Sequence, residues 1–78
     1  MNKVLYKSAI KYKMDDLKAL PHNDDYIIMS YLIDSSNVLA EEYELTHGYD
    51  NQRAKYLGLL LSYNLEEMEK IIEKYKNH

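Results

Sequence analysis

One short motif in this chain has the spacing of a pair of metal ligands. In the segment Glu44-Leu45-Thr46-His47, the glutamate precedes the histidine by three residues, as in the helical bundles that bind two iron ions. On a helix, this spacing puts the carboxylate and the imidazole on the same side. A di-iron site needs a second such motif and two further glutamates, whereas the chain carries the motif once. A metal-binding helical dimer is therefore our third interpretation, and we predict no metal ligands.

The other reactive side chains lack the partners that catalysis requires. Cysteine is absent, so no thiolate can act as a nucleophile. Ser35 and Ser36 have no histidine near them in sequence, and a serine within a helix commonly bonds to the carbonyl of the preceding turn. Gly48 and Gly58, the two glycines, cannot form a glycine-rich phosphate loop. The sequence therefore predicts no catalytic residues, no cofactor and no enzymatic activity.

The charges are distributed unevenly along the chain. Residues 1–13 contain four lysines and no acidic residue, whereas residues 14–50 contain nine acidic residues and a single lysine, Lys18. The net charge of −3 and this acidic middle would repel phosphates, so we do not expect direct nucleic-acid binding. Opposite charges on neighbouring elements commonly satisfy each other. We therefore expect the basic first helix to lie against the acidic second helix.

The acidic residues of the second helix also allow another function. They comprise Asp34 and Glu41 on one outer line of the helix, with Glu42 and Glu44 nearby. An acidic surface of this kind can occupy the basic groove of a nuclease or another nucleic-acid-binding protein. An acidic nucleic-acid mimic that blocks such a protein is therefore our alternative interpretation.

Hydrophobic periodicity and helix-end signals divide the chain into three segments. The predicted helices span residues 3–20, 24–47 and 50–77. Pro21 disfavours helical geometry at the residue before it, and Gly48 suits the left-handed position after a helix. Because both connections are short, successive helices should be antiparallel neighbours. The sequence predicts an all-α, antiparallel three-helix bundle that forms one domain, residues 1–78.

The secondary structure of the N-terminal region allows two interpretations. Apolar and charged residues alternate between Ile10 and Met14, so an extended segment that leads into a helix at 14–20 is an alternative for the N-terminal region.

Gly58 lies within the third helix, where glycine costs about 1 kcal/mol relative to alanine and usually has a packing reason. We expect helices two and three to cross closely at Ser35, Ser36 and Gly58.

Helices two and three carry more apolar surface than one small domain needs. On helix two the predicted core-facing stripe is Ile28, Leu32, Leu39 and Tyr43. A second set of apolar residues at helical spacing comprises Ile27, Tyr31, Val38 and Leu45 on helix two, and Tyr56, Leu59 and Tyr63 on helix three. A second stripe must be buried by another helix or by a partner chain. We predict that these seven residues bind partners.

Size also favours self-association. A core built from so few residues supplies about 3–5 kcal/mol of net stability, and no disulfide can add to it. The predicted third helix, of 28 residues, spans about 42 Å, whereas a compact globule of this size is roughly 30 Å across. We therefore expect a homodimer or a larger helical homo-oligomer.

These observations predict a small non-catalytic regulator or inhibitor that binds protein through apolar helical faces. Its expected partners are itself and an unidentified protein. All nine aromatic residues are tyrosine, and abundant Tyr, Asn, Lys and Ile are typical of A+T-rich genomes, which is compatible with a phage or mobile-element source. No apolar run approaches the roughly 20 residues of a membrane span, and the N-terminus is unlike a signal peptide. We expect a cytoplasmic protein without a membrane partner.

Overall fold

The computed structural model describes residues 6–76 and folds them into three α-helices. These are α1 (Tyr6–Lys18), α2 (Asp24–Thr46) and α3 (Asn51–Lys76). The predicted all-α class with three helices is confirmed. The predicted helix ends agree with the observed ones within two residues, apart from the ends at 3 and 77, which lie outside the described residues. Because α1 is helical from Tyr6 onward, the extended alternative is wrong for residues 6–13.

Local signals at both ends set the length of α2. The Asn23 side-chain oxygen accepts hydrogen bonds from the backbone N–H groups of Asp25 and Tyr26, at 3.0 and 3.4 Å, and so caps two donors that lack partners within the helix. After the other end, Gly48 has a φ of 102°, in the left-handed region that favours glycine. The chain therefore leaves α2 in the turn that the sequence predicts.

Contacts at both ends hold α2 and α3 side by side. Near the start of α2, the Asp25 carboxylate accepts hydrogen bonds from the Lys74 ammonium at 3.1 Å and the Tyr75 hydroxyl at 2.5 Å. Near the end of α2, the Glu42 carboxylate binds the Arg53 guanidinium at 2.7 Å. The beginning of each helix thus lies beside the end of the other.

A polar contact joins the same two helices between these ends. The Asn64 amide nitrogen donates to the hydroxyl oxygens of Ser35 at 3.2 Å and Ser36 at 3.1 Å. The Ser35 hydroxyl also donates to the Leu32 carbonyl at 3.4 Å, the back-bond that a helical serine commonly makes. Ser36 is fully buried, so its hydroxyl would lose a hydrogen bond without Asn64.

The apolar core lies where the three helices meet. Its fully buried large side chains are Ile10 of α1, Met29 of α2, and Leu61 and Met68 of α3. The prediction for α2 was wrong at Ile28, which is 49% exposed. Because α2 contacts α1 on one side and α3 on another, its buried face is centred on other residues. These are Met29, Ile33, Ser36 and Ala40.

The predicted close approach of α2 and α3 holds in part. Ser36 of α2 meets Asn64 of α3, one to two turns after Gly58. A Cβ atom at Gly58 would lie 3.8 Å from Cε2 of Tyr43 on α2, but its nearest neighbour, at 3.1 Å, would be the Tyr6 hydroxyl oxygen of α1. Periodicity correctly indicated a packing role for Gly58 but did not identify Tyr6 as its nearest neighbour.

The length of the two long helices determines the shape of the molecule. Its principal extents are 44 × 23 × 16 Å, and the 26 residues of α3 span about 39 Å of the longest one. The 13 residues of α1 span about 20 Å. Helix α1 therefore covers only part of the α2–α3 pair.

We predict that Gly58→Leu lowers the free energy of unfolding by roughly 1–3 kcal/mol, because the new side chain must displace Tyr6. Chemical denaturation measures this, with Gln52→Leu as the matched control at an exposed position of the same helix. The control should stay within about 0.5 kcal/mol of the wild type. Equal stability of the two variants would contradict the close approach of Tyr6 to Gly58.

Candidate functional site

The seven residues predicted to bind partners all lie on the surface. We call Ile27, Tyr31, Val38 and Leu45 the α2 stripe, and Tyr56, Leu59 and Tyr63 the α3 stripe. The exposed fractions of these seven residues range from 61% to 72%. Spacings of three, four and seven residues put each stripe along one side of its helix. Neither stripe covers the other within the chain, so each is available to a partner.

Both stripes lie beside the line where α2 meets α3. On α2, Val38 is within about one turn of Ser35 and Glu42, which bind side chains of α3. On α3, Tyr56 is one turn from Arg53, which binds Glu42 of α2. Because residues three or four apart share a side of a helix, the stripes flank the α2–α3 contact.

Helix α1 contacts other sides of these two helices. The Lys7 ammonium lies 3.4 Å from the Glu44 carboxylate of α2, and Lys13 forms an ion pair with Glu69 of α3. The predicted pairing of basic α1 with acidic α2 thus holds for Lys7, whereas Lys13 turns to α3. Lys13 takes this partner because α1 packs in the groove between both helices and reaches acidic residues on each.

The four acidic residues of the alternative interpretation do not form one free surface. Glu42 pairs with Arg53 at 2.7 Å and Glu44 pairs with Lys7 at 3.4 Å. Asp34 and Glu41 are exposed, and the ion pairs between residues 6 and 76 leave both of them out. Local cations therefore neutralise half of the predicted acidic surface.

The Glu44-x-x-His47 motif is engaged in contacts that do not involve a metal. Glu44 binds Lys7, and the His47 ring lies 5.3 Å from the ring of Tyr43. Within the described part of the chain, no three potential ligands among His, Cys, Asp and Glu cluster as a metal would require. The motif here links α1 to α2 and closes the last turn of α2.

An open cleft lies where the start of α1 meets the ends of α2 and α3 that flank the turn. Its volume is about 410 Å³, and its lining comprises Tyr6, Tyr43, His47, Asn51, Ala54, Lys55, Gly58, Leu59 and Ser62. The Tyr6 and Tyr43 rings meet edge to face with centroids 5.0 Å apart. Leu59 joins the cleft to the α3 stripe, so a partner on that stripe can also reach into the cleft. Sequence reasoning missed this cleft, although the glycine at 58 was a signal of it.

Two carboxylates that contact a neighbouring helix have a lowered pKa. The Tyr75 hydroxyl and then the Lys74 ammonium hold the pKa of Asp25 below its ordinary value of 3.8. The hydrogen bond and charge of Lys13 likewise lower the pKa of Glu69 from 4.5. Both carboxylates are thus stabilised in their charged form where they bind a neighbouring helix.

Comparison of the chain with protein-family models, with curated proteins and with solved structures yields no match. Across residues 6–76, each helix is either too short or too polar to cross a bilayer.

We predict that Tyr75→Phe raises the pKa of Asp25 toward 3.8, because the carboxylate loses its strongest donor. Because the pKa of Asp25 is lower in the folded state than in the unfolded state, the charged carboxylate stabilises the fold at pH values above the unfolded-state pKa. This contribution disappears as the pH falls through the folded-state pKa. The variant should therefore be less stable than the wild type at neutral pH, and this difference should shrink below pH 3.8. NMR titration of the Asp25 carboxyl carbon and denaturation at both pH values measure these effects. Tyr49→Phe, at a 78% exposed position, is the control, and an unchanged Asp25 pKa in Tyr75→Phe would contradict the assignment.

Proposed function

We propose that this chain is a small non-catalytic protein-binding regulator or inhibitor that acts through the α2 and α3 stripes. The observation that carries the proposal is the exposure of all seven stripe residues at 61–72%. Covering a large apolar side chain is favourable by about 1.5–3 kcal/mol, so a partner surface that buries several of them gains substantial binding free energy. Large exposed apolar surface marks interaction sites in soluble domains.

The scaffold in this proposal is an antiparallel three-helix bundle whose working surfaces are helical. Support comes from the contacts of Asp25 with Lys74 and of Glu42 with Arg53, which join opposite ends of α2 and α3. Side chains on helices lose less freedom on binding than side chains on loops, because the backbone is already ordered. The proposed partner lays an apolar groove or helix face on a stripe, as in helix-in-groove recognition.

The contacts of the candidate nucleophiles and bases support a non-catalytic role. Ser35 and Ser36 accept hydrogen bonds from Asn64, while Glu44 binds Lys7. These groups stabilise the helices, and none of these contacts pairs a hydroxyl with a histidine or carboxylate, as nucleophilic catalysis requires. The proposed activity is therefore occupancy of a partner's surface.

The acidic-mimic function remains a second candidate because Asp34 and Glu41 are exposed and lie outside the ion pairs of the described residues. In this version, the acidic side of α2 enters a basic groove that normally holds nucleic acid. The pairing of Glu42 and Glu44 with basic residues of the same chain weakens it, because neutralised carboxylates attract a basic groove less strongly. The amino-acid composition, which is typical of A+T-rich genomes, is compatible with a phage or mobile-element source for both candidate functions.

Two pairs of substitutions distinguish these functions. We predict that Leu59→Glu with Tyr63→Glu abolishes capture of the partner from an extract of the native host, because central apolar anchors each contribute about 2 kcal/mol or more. Asp34→Lys with Glu41→Lys should bind the same partner more slowly but retain the complex, because peripheral charges mainly alter the association rate.

Capture followed by mass spectrometry identifies the partner, and surface plasmon resonance then measures both rates. Tyr12→Glu is the matched control, since Tyr12 is 72% exposed on α1 and outside both stripes. Circular dichroism verifies that each variant remains helical. Full binding by the Leu59/Tyr63 variant, with loss of binding in the Asp34/Glu41 variant, would replace the apolar-surface function with the acidic mimic.

A further inference from the structure

The two stripes have the positions expected of two halves of one interface. The α2 stripe and the α3 stripe both flank the α2–α3 contact, on sides of the helices that α1 leaves open. Within one chain they point outward from neighbouring helices and cannot cover each other. We propose that a second copy of this chain covers them, with the α2 stripe of each copy packed on the α3 stripe of the other. This proposal rests on the proposed function, because it names the partner of the same surfaces.

The exposed area is sufficient for a stable dimer. Aromatic side chains bury about 150–250 Å² each when they are covered, and large aliphatic side chains bury somewhat less. At their exposed fractions of 61–72%, the seven stripe residues leave on the order of 900 Å² on each copy. A specific interface of standard size buries about 800 Å² per partner. A twofold axis uses the same surface on both copies, so one contact buries both stripes of both chains.

The charges favour a dimer in which α2 packs on the partner's α3 over a dimer in which the two α2 helices pack on each other. Helix α2 carries six acidic residues and no lysine or arginine, whereas α3 carries five basic and four acidic residues. Two α2 helices in contact would oppose acidic residues along their whole length, which is costly. Packing α2 on the partner's α3 instead sets basic residues such as Lys55 and Lys70 beside the acidic helix.

The intrachain contacts predict which stripe residues meet. Ser36 lies level with Asn64, and Asp25 lies level with Tyr75. The two helices run in opposite directions with the same rise per residue, so Val38, two residues after Ser36, lies level with the residues just before Asn64. Tyr63 is the stripe residue at that level. A twofold axis parallel to the helices keeps every residue at its own level, so Val38 of one copy approaches Tyr63 of the other.

Cysteine pairs test this arrangement, because the natural chain contains no cysteine. Val38→Cys protein is mixed with Tyr63→Cys protein and oxidised, and a disulfide-linked heterodimer should form at least ten times more than the linked homodimer of either variant alone. The alternative packing of α2 on α2 in opposite directions would bring Tyr31 near Val38. A mixture of Tyr31→Cys with Val38→Cys reports that packing, and Tyr49→Cys with Val38→Cys is the background control.

Light scattering on the unmodified chain is the second measurement. We expect twice the chain mass of 9.3 kDa at micromolar concentration, and 9.3 kDa for Leu59→Glu with Tyr63→Glu while its helical circular dichroism persists. A wild-type mass of 9.3 kDa overturns the proposal, as does a dimer that links through Tyr31→Cys and Val38→Cys. A monomeric chain that still captures a host protein through its stripes would refute self-association and leave the proposed function standing. A dimer whose stripe variants bind host proteins normally would refute the proposed function alone.

Discussion

Helix α1 packs against one side of the pair formed by α2 and α3, and this choice of side determines which apolar residues become core. Its ion pairs with both long helices place α1 in the groove between them on that side. Apolar residues that face the groove enter the core around Ile10, Met29 and Leu61. The α2 and α3 stripes lie on sides of the two helices that α1 does not contact. Core and exposed apolar surface therefore both follow from the side on which α1 packs.

Polar contacts then specify how the long helices are aligned. The hydrogen bonds from Asn64 to Ser35 and Ser36 fix the position of α3 along α2 in the middle of the pair. Two ion pairs fix it near the ends. Exposed ion pairs contribute little net stability, whereas a buried hydroxyl that lost its partner would be costly. The Asn64 contact therefore determines the alignment more strongly than the charges do. Because it fixes the relative level of the two stripes, it also determines how a second copy can fit.

The helix bounds and the exposed stripes could be predicted from the sequence because both depend on local chemistry. Asn23 and Gly48 mark the ends of α2 through their own side-chain and backbone properties, and residue spacing alone assigns a residue to one side of a helix. The neighbours of Gly58, the partner of Lys13 and the exposure of Ile28 depend on how each helix is rotated toward the others. The hydrophobic periodicity of one helix does not determine that rotation. The cleft between Tyr6, Tyr43 and Lys55 was missed for the same reason, since its residues come from all three helices.

We propose that the stripes become covered in the working state of the protein. Tyrosine supplies probes on and off these surfaces, because Tyr31, Tyr56 and Tyr63 belong to the stripes while Tyr12 and Tyr49 do not, and all five are at least 61% exposed in the single chain. The most direct measurement is the broadening of each tyrosine ring signal by a soluble nitroxide, recorded by NMR as protein concentration rises. We expect the three stripe tyrosines to become protected with increasing concentration while Tyr12 and Tyr49 stay accessible. Equal accessibility of all five rings at every concentration, with and without host extract, would contradict it.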